Sequence, residues 1–101
     1  MGKSYLFTCE SCGYEAQASG RRDVGMMAVV RTMFCRGCRN LVDVLIGQCG
    51  VDGPTGDPDY DKDLGRCPEC SSAEVIVWVS GDPCPRFKGM MSIGEDFILW
   101  D

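Results

Sequence analysis

The chain contains no histidine. That absence removes the usual general base near neutral pH and every mixed cysteine–histidine metal site. Long apolar runs are missing too. No stretch approaches the roughly 20 residues that a membrane-spanning helix needs. Met1-Gly2-Lys3-Ser4 leads straight into Tyr5-Leu6-Phe7-Thr8-Cys9, without the apolar core and small-residue cleavage site of a secretory signal. Leu6 stands where a myristoylation motif needs Ser or Thr. The expectation is a cytoplasmic protein with reduced thiols and no membrane association. Basic residues are scarce in the second half. Residues 1–50 hold six basic against four acidic residues, a formal +2, whereas residues 51–101 hold four against eleven, a formal −7. A nucleic-acid binder presents a basic face, because phosphate neutralisation supplies most of its affinity. With a net charge of −5, a protein partner is favoured over nucleic acid. Oligomeric state is not readable from the sequence.

What the chain does have is cysteine, eight in 101 residues. In a reducing compartment C-x2-C pairs point to metal first, redox chemistry second and structural disulfides third. Cys9-Glu10-Ser11-Cys12 and Cys35-Arg36-Gly37-Cys38 are separated by 22 residues of strand-like sequence. Two such pairs at that distance predict one metal ion held by four thiolates, Cys9, Cys12, Cys35 and Cys38. Gly13 follows the first pair and suits a knuckle turn, since it takes positive φ without steric cost. The second pair is followed by Arg39, with Asn40 expected to close the turn.

Cys67-Pro68-Glu69-Cys70 opens the second half. Cys84-Pro85-Arg86-Phe87 has the form of a fourth knuckle with Phe in place of its second cysteine. Cys67, Cys70 and Cys84 are therefore candidate ligands of a second, incomplete site. Cys49 stands alone and could supply its fourth thiolate. Water or a carboxylate such as Asp82 could do so instead, or Phe87 could fill an empty site as core. An open three-ligand zinc can be catalytic in principle, but without histidine or an obviously placed base no enzyme activity is expected.

Strand formers flank the knuckles: Ser4–Thr8, 14–19, 26–34, 41–47 and 74–79. Residues 88–92 and 96–100 read as a closing hairpin around Ile93-Gly94-Glu95. Three Gly, two Pro and five Asp make the stretch from Gly50 to Asp63 an exposed acidic linker. The predicted fold is small, all-β and metal-stabilised: two tandem zinc-ribbon-like units, 1–50 and 64–101, joined by a linker at 51–63.

Cys9-Glu10-Ser11-Cys12-Gly13-Tyr14 and Cys67-Pro68-Glu69-Cys70 look like the knuckles of rubredoxins and zinc ribbons. Over essentially its full length the chain resembles small bacterial proteins of uncharacterised function with two tandem zinc ribbons. There a C-P-R-C-G knuckle comes where this chain has Cys84-Pro85-Arg86-Phe87-Lys88. The resemblance implies one or two zinc ions and names no activity. The rubredoxin-like knuckles imply iron and electron transfer as the alternative. A more distant similarity, to RNA polymerase zinc-ribbon subunits and cleavage factors, implies a transcription-associated interaction module. The Asp-Glu tip of the cleavage factors has no counterpart here, so their activity is not carried over.

Overall fold

A computed structural model describes residues 2–86 and 88–100. The chain is almost entirely β. Its strands are β1 (Gly2–Cys9), β2 (Glu15–Ala18), β3 (Arg22–Val24), β4 (Ala28–Cys35), β5 (Asn40–Gln48), β6 (Val51–Asp52), β7 (Val75–Val77) and β8 (Met91–Trp100), with one short helix, α1 (Pro58–Asp61), after β6. The methionine-containing stretch before Cys35 is a strand, because buried Val30, Thr32 and Phe34 alternate with less buried Arg31 and Met33, and a bulge between Val29 and Val30 leaves both valines buried.

The strands form two antiparallel sheets. One has the order β2-β1-β8. The other has the order β3-β4-β5-β6, with β7 also pairing β4. This pairing crosses the boundary expected between two consecutive units. The last strand lies on the first, with Gly2 opposite Trp100 and Cys9 opposite Met91. The middle of the chain closes on itself, with Cys35 opposite Val75 and Phe34 opposite Ile76. The units are nested: an inner one built between β3 and β7, and an outer one built from both ends of the chain.

The closing hairpin expected at 88–100 does not form. β1 carries an open edge along its length, and the whole of 91–100 adds to it as one strand. A bulge absorbs the Ile93-Gly94-Glu95 segment: Tyr5 and Phe7 pair with Phe97 and Ile93, so two steps on β1 match four on β8.

The two sheets meet through Phe7, Ala16 and Ala18 on one side and Phe34, Leu41 and Trp78 on the other. Phe7 is edge-on to Trp78, with centroids 5.2 Å apart and planes at 85°, the arrangement that the ring quadrupoles favour. Trp78 satisfies its indole N–H on the Pro83 carbonyl at 2.9 Å. A polar clamp seals the same junction. The Asp43 carboxylate accepts from the Ser19 amide (3.0 and 3.1 Å), the Ser19 hydroxyl (2.9 Å) and the Thr32 hydroxyl (2.6 Å). Thr32 Oγ1 in turn accepts from the Gly20 amide at 2.7 Å.

The acidic segment is exposed, as its composition requires, but it is built into the inner unit. β6 pairs with the end of β5, and Arg22 Nη2 meets Asp52 Oδ1 at 2.7 Å. Asp57 caps α1 by accepting from the Asp59 amide at 3.0 Å. Asp61 accepts from the Thr55 amide, the Thr55 hydroxyl and the Gly56 amide. Tyr60 donates its hydroxyl to the Gly47 carbonyl at 2.7 Å, holding the segment against β5.

Candidate metal centres

All four knuckles close in the same way. In each, the residue four positions after the first cysteine takes positive φ and donates its amide to that cysteine's carbonyl. These residues are Gly13 (φ 77°, 3.0 Å to Cys9), Arg39 (φ 59°, 2.8 Å to Cys35), Ser71 (φ 64°, 2.9 Å to Cys67) and Lys88 (φ 58°, 2.7 Å to Cys84). Only the first position is glycine. Arg39, not Asn40, takes the left-handed conformation in the second knuckle. The other three hold a non-glycine residue in a region that costs on the order of 1 kcal/mol or more each. The turns also aim backbone amides at sulfur. The Cys12 amide lies 3.4 Å from Cys9 Sγ, that of Cys38 lies 3.5 Å from Cys35 Sγ, and that of Glu69 lies 3.4 Å from Cys67 Sγ.

Strand pairing then decides which knuckles face one another. Because β7 returns to β4, Cys67 and Cys70 come to Cys35 and Cys38. Because β8 returns to β1, Cys84 comes to Cys9 and Cys12. Two sulfur clusters result, each with its Sγ atoms within 4.8 Å of one another: Cys35, Cys38, Cys67 and Cys70, and Cys9, Cys12 and Cys84. The expected grouping of Cys9 and Cys12 with Cys35 and Cys38, and of Cys67 and Cys70 with Cys84, is not what the fold brings together. The candidate cysteines are the same and the partners are exchanged. Cys49 joins neither cluster. It is exposed at the β5–β6 turn with φ 51°, its amide on the Met27 carbonyl at 2.7 Å. Asp82 is not a ligand of either cluster among the described residues, and its Oδ2 accepts from the Val79 amide at 3.0 Å. Phe87 lies outside the described residues.

The donor sets fit a thiophilic metal. All eight cysteines are free. Cys35 and Cys70 sulfurs are 3.5 Å apart and those of Cys38 and Cys67 are 3.7 Å apart. A disulfide would need about 2.05 Å. Four sulfurs around one tetrahedral zinc at about 2.3 Å stand roughly 3.8 Å from one another. In the smaller cluster Cys12 and Cys84 sulfurs are 3.9 Å apart. Cys9, Cys35, Cys67 and Cys84 are buried, and Cys12 and Cys70 are exposed.

Thiolate chemistry is distributed unevenly within each cluster. The Cys38 amide, pointing at Cys35 sulfur, lowers the Cys35 thiol to about 7 against desolvation. Burial, reinforced by neighbouring thiols, pushes Cys38 up to about 12. The Cys12 amide lowers Cys9 to about 7 in the same way. Each cluster thus holds one thiol whose ionisation the knuckle amide eases, Cys35 in one and Cys9 in the other, and the thiolate is the form that binds a metal.

Arg86 ties the two centres together. Its guanidinium lies 4.1 Å over the Tyr14 ring, beside the first knuckle. Its Nε donates to the Arg39 carbonyl and its Nη2 to Asn40 Oδ1, both at 2.9 Å, at the second knuckle. Tyr14 completes the bridge by accepting the Leu41 amide at 2.7 Å, and burial raises its phenol above the ordinary range. Sequence reasoning placed Tyr14 in a knuckle motif but gave neither residue this bridging role. The signals were that each sits in a knuckle motif, Tyr14 after Cys12-Gly13 and Arg86 after Cys84-Pro85.

No protein-family model, no curated protein and no solved structure matches this chain. Among the described residues no helix is long and apolar enough to cross a membrane.

Proposed function

We propose that this protein is a zinc-folded, non-catalytic interaction module whose partner is another protein. The observation that carries the reading is the Cys35–Cys38–Cys67–Cys70 cluster. It is a closed four-sulfur set of the kind that holds structural zinc, and it joins the β4–β5 knuckle to the 67–77 segment beside the three-position β4–β7 ladder. Cys35 and Cys67 are themselves core residues, packed with Val42 and Val44. Metal binding and folding are therefore one event, and the ion contributes roughly 10 kcal/mol or more to the folded state. No histidine stands near either cluster to act as base. Support for a protein partner comes from β8, where Ile93, Phe97, Ile98 and Leu99 are each about half exposed beside an exposed Leu6. Apolar residues gathered on one strand mark an association surface rather than a phosphate-binding one. A cytoplasmic, transcription-associated setting agrees with the reduced thiols and the ribbon-like knuckles.

Native mass spectrometry with elemental analysis of protein purified from metal-replete cells tests the reading. A colourless protein carrying zinc, which loses β structure on prolonged chelation, is the expected result. A red protein containing iron would move the assignment to rubredoxin-like electron transfer. Retention of full β structure after the metal is stripped would overturn the folding role.

A further inference from the structure

We propose that Cys9, Cys12 and Cys84 form a three-thiolate metal site that keeps one coordination position for an exchangeable external thiolate. The inference rests on the reading of the clusters as metal sites and concerns only the smaller one.

Three observations distinguish this cluster from a site that has been lost. First, the fourth knuckle retains the two closing hydrogen bonds of the others although its second cysteine is absent from the sequence. The Lys88 amide reaches the Cys84 carbonyl at 2.7 Å with Lys88 at φ 58°, and the Cys84 amide reaches the Gly89 carbonyl at 2.7 Å. Cys9 and Cys67 make the same second bond, to Tyr14 and Ser72. Lys88 holds this conformation without the help of glycine. Second, the backbone at Gly89 packs closely against the cluster. A Cβ at position 89 would stand 2.5 Å from Ser11 Oγ and 3.2 Å from Cys9 Sγ, so any side chain there would press on the cluster. Third, the sulfurs converge. Cys9 and Cys84 are buried, all three Sγ atoms lie within 4.8 Å of one another, and the Cys12 amide is aimed at Cys9 sulfur.

No His, Cys, Asp or Glu among the described residues completes the cluster, and Phe87, at the sequence position of the missing cysteine, has no donor atom. Thiophilic divalent ions held by protein sulfur take four ligands. The remaining ligand must come from outside, and exposed Cys12 gives solvent access to the cluster. The ligand class is a soft anion, a thiolate. An incoming thiol forms a metal–sulfur bond, its proton passes to solvent, and the solvent molecule it displaces leaves. No oxidation or reduction is involved. The four-thiolate cluster has no such vacancy, so it serves as an internal reference.

The test uses the full chain in a Cys49→Ser background, so that no second copy can donate that exposed thiol. The protein is loaded with two equivalents of cobalt(II) and titrated with 2-mercaptoethanol. With three and four protein sulfurs on the two ions, the thiol should raise the sulfur-to-cobalt charge-transfer absorbance by about one seventh, with a shift in the d–d bands, as the fourth position of one ion fills. F87C in the same background should start at the higher absorbance and show no response to thiol. If F87C does not fold, Cys84→Ser replaces it: the four-thiolate spectrum should persist and the thiol response vanish. In protein that retains Cys49, a concentration-dependent rise without added thiol would identify a second copy as the thiolate source. A rise only with added thiol identifies a small molecule. Binding of a single cobalt ion, or an equal thiol response in F87C, would overturn the proposal. Either outcome with the four-thiolate spectrum intact leaves the structural-zinc reading standing.

Discussion

Replacing Cys67 and Cys70 together by serine tests the exchange of partners between knuckles. If consecutive pairs shared a metal, Cys9, Cys12, Cys35 and Cys38 would remain a complete four-sulfur set in this variant. In the nested fold the same change removes half of the only four-sulfur cluster among the described residues and leaves Cys9, Cys12 and Cys84 untouched. The magnitude follows from what the cluster holds. A four-thiolate zinc contributes on the order of 10 kcal/mol or more, while a domain of this size has a total stability of about 5–15 kcal/mol. β7 pairs β4 through only three residue positions, Met33 to Cys35. That short ladder cannot hold the 67–77 segment in place once the ion is gone. Serine at position 67 also leaves a hydroxyl among Cys35, Val42 and Val44, where the native side chain is only 2% exposed, adding a desolvation cost of about 1–3 kcal/mol if it finds no partner.

The assay is cobalt(II) absorption together with far-ultraviolet circular dichroism. C67S/C70S should lose the intense spectrum of a four-thiolate ion and much of its β signal. C9S/C12S should keep that spectrum, because its four sulfurs are intact, while losing the weaker three-thiolate component. The reverse pattern, a four-thiolate spectrum surviving in C67S/C70S and disappearing in C9S/C12S, would refute the nested pairing outright.

Asp43→Ala removes the acceptor that fastens the Ser19–Gly20 turn to β4 and β5. Three short hydrogen bonds to a carboxylate disappear, and the fully buried Thr32 hydroxyl loses its acceptor, so a loss of about 3 kcal/mol is expected in urea denaturation at fixed zinc; a change under 0.5 kcal/mol would show that the clamp is incidental. Asp61 is held below the usual carboxylate range by the Thr55 amide first, then by the Thr55 hydroxyl and the Gly56 amide. Its ionised form is the one the fold prefers, so its contribution is complete above the unfolded value and is lost as pH falls through the lower folded value, below about pH 4. Amide-exchange protection at Thr55 and Gly56 should fall over that range in the wild type and stay low and flat in Asp61→Asn. Equal profiles for the two proteins would remove Asp61 from the account.

The cysteines, the strands and the exposed acidic stretch were legible because each rests on local chemistry. C-x2-C with a turn-forming follower specifies a knuckle whatever lies elsewhere in the chain. Val, Ile, Thr and aromatic residues with period-two alternation specify strands, and β4, β5 and the core of β7 formed where they were expected. What one sequence does not carry is which knuckle meets which. All the pairs have the same turn, so their local signals are interchangeable, and proximity in sequence favours joining Cys12 to Cys35. The choice is made by strand edges. Residues 91–100 can pack Met91 against the core cluster and seat Trp100, whose indole donates to Asp23 Oδ2 at 3.2 Å, only by lying along β1. Once they do, Cys84 is carried to Cys9, and Cys67 and Cys70 are left to the inner unit. The closing hairpin failed for the same reason: Ile93-Gly94-Glu95 has turn composition, but a bulge in a pairing of seven positions along β1 satisfies more backbone than an isolated two-stranded hairpin would. Arg86 was invisible for a related cause. Its partners, Tyr14 and the Arg39–Asn40 turn, are 46 or more positions away, and it binds them only after the pairing has been decided. A metal ligand set in a chain of repeated knuckles is thus a property of the strand order, and the sulfur spacing alone specifies only its parts.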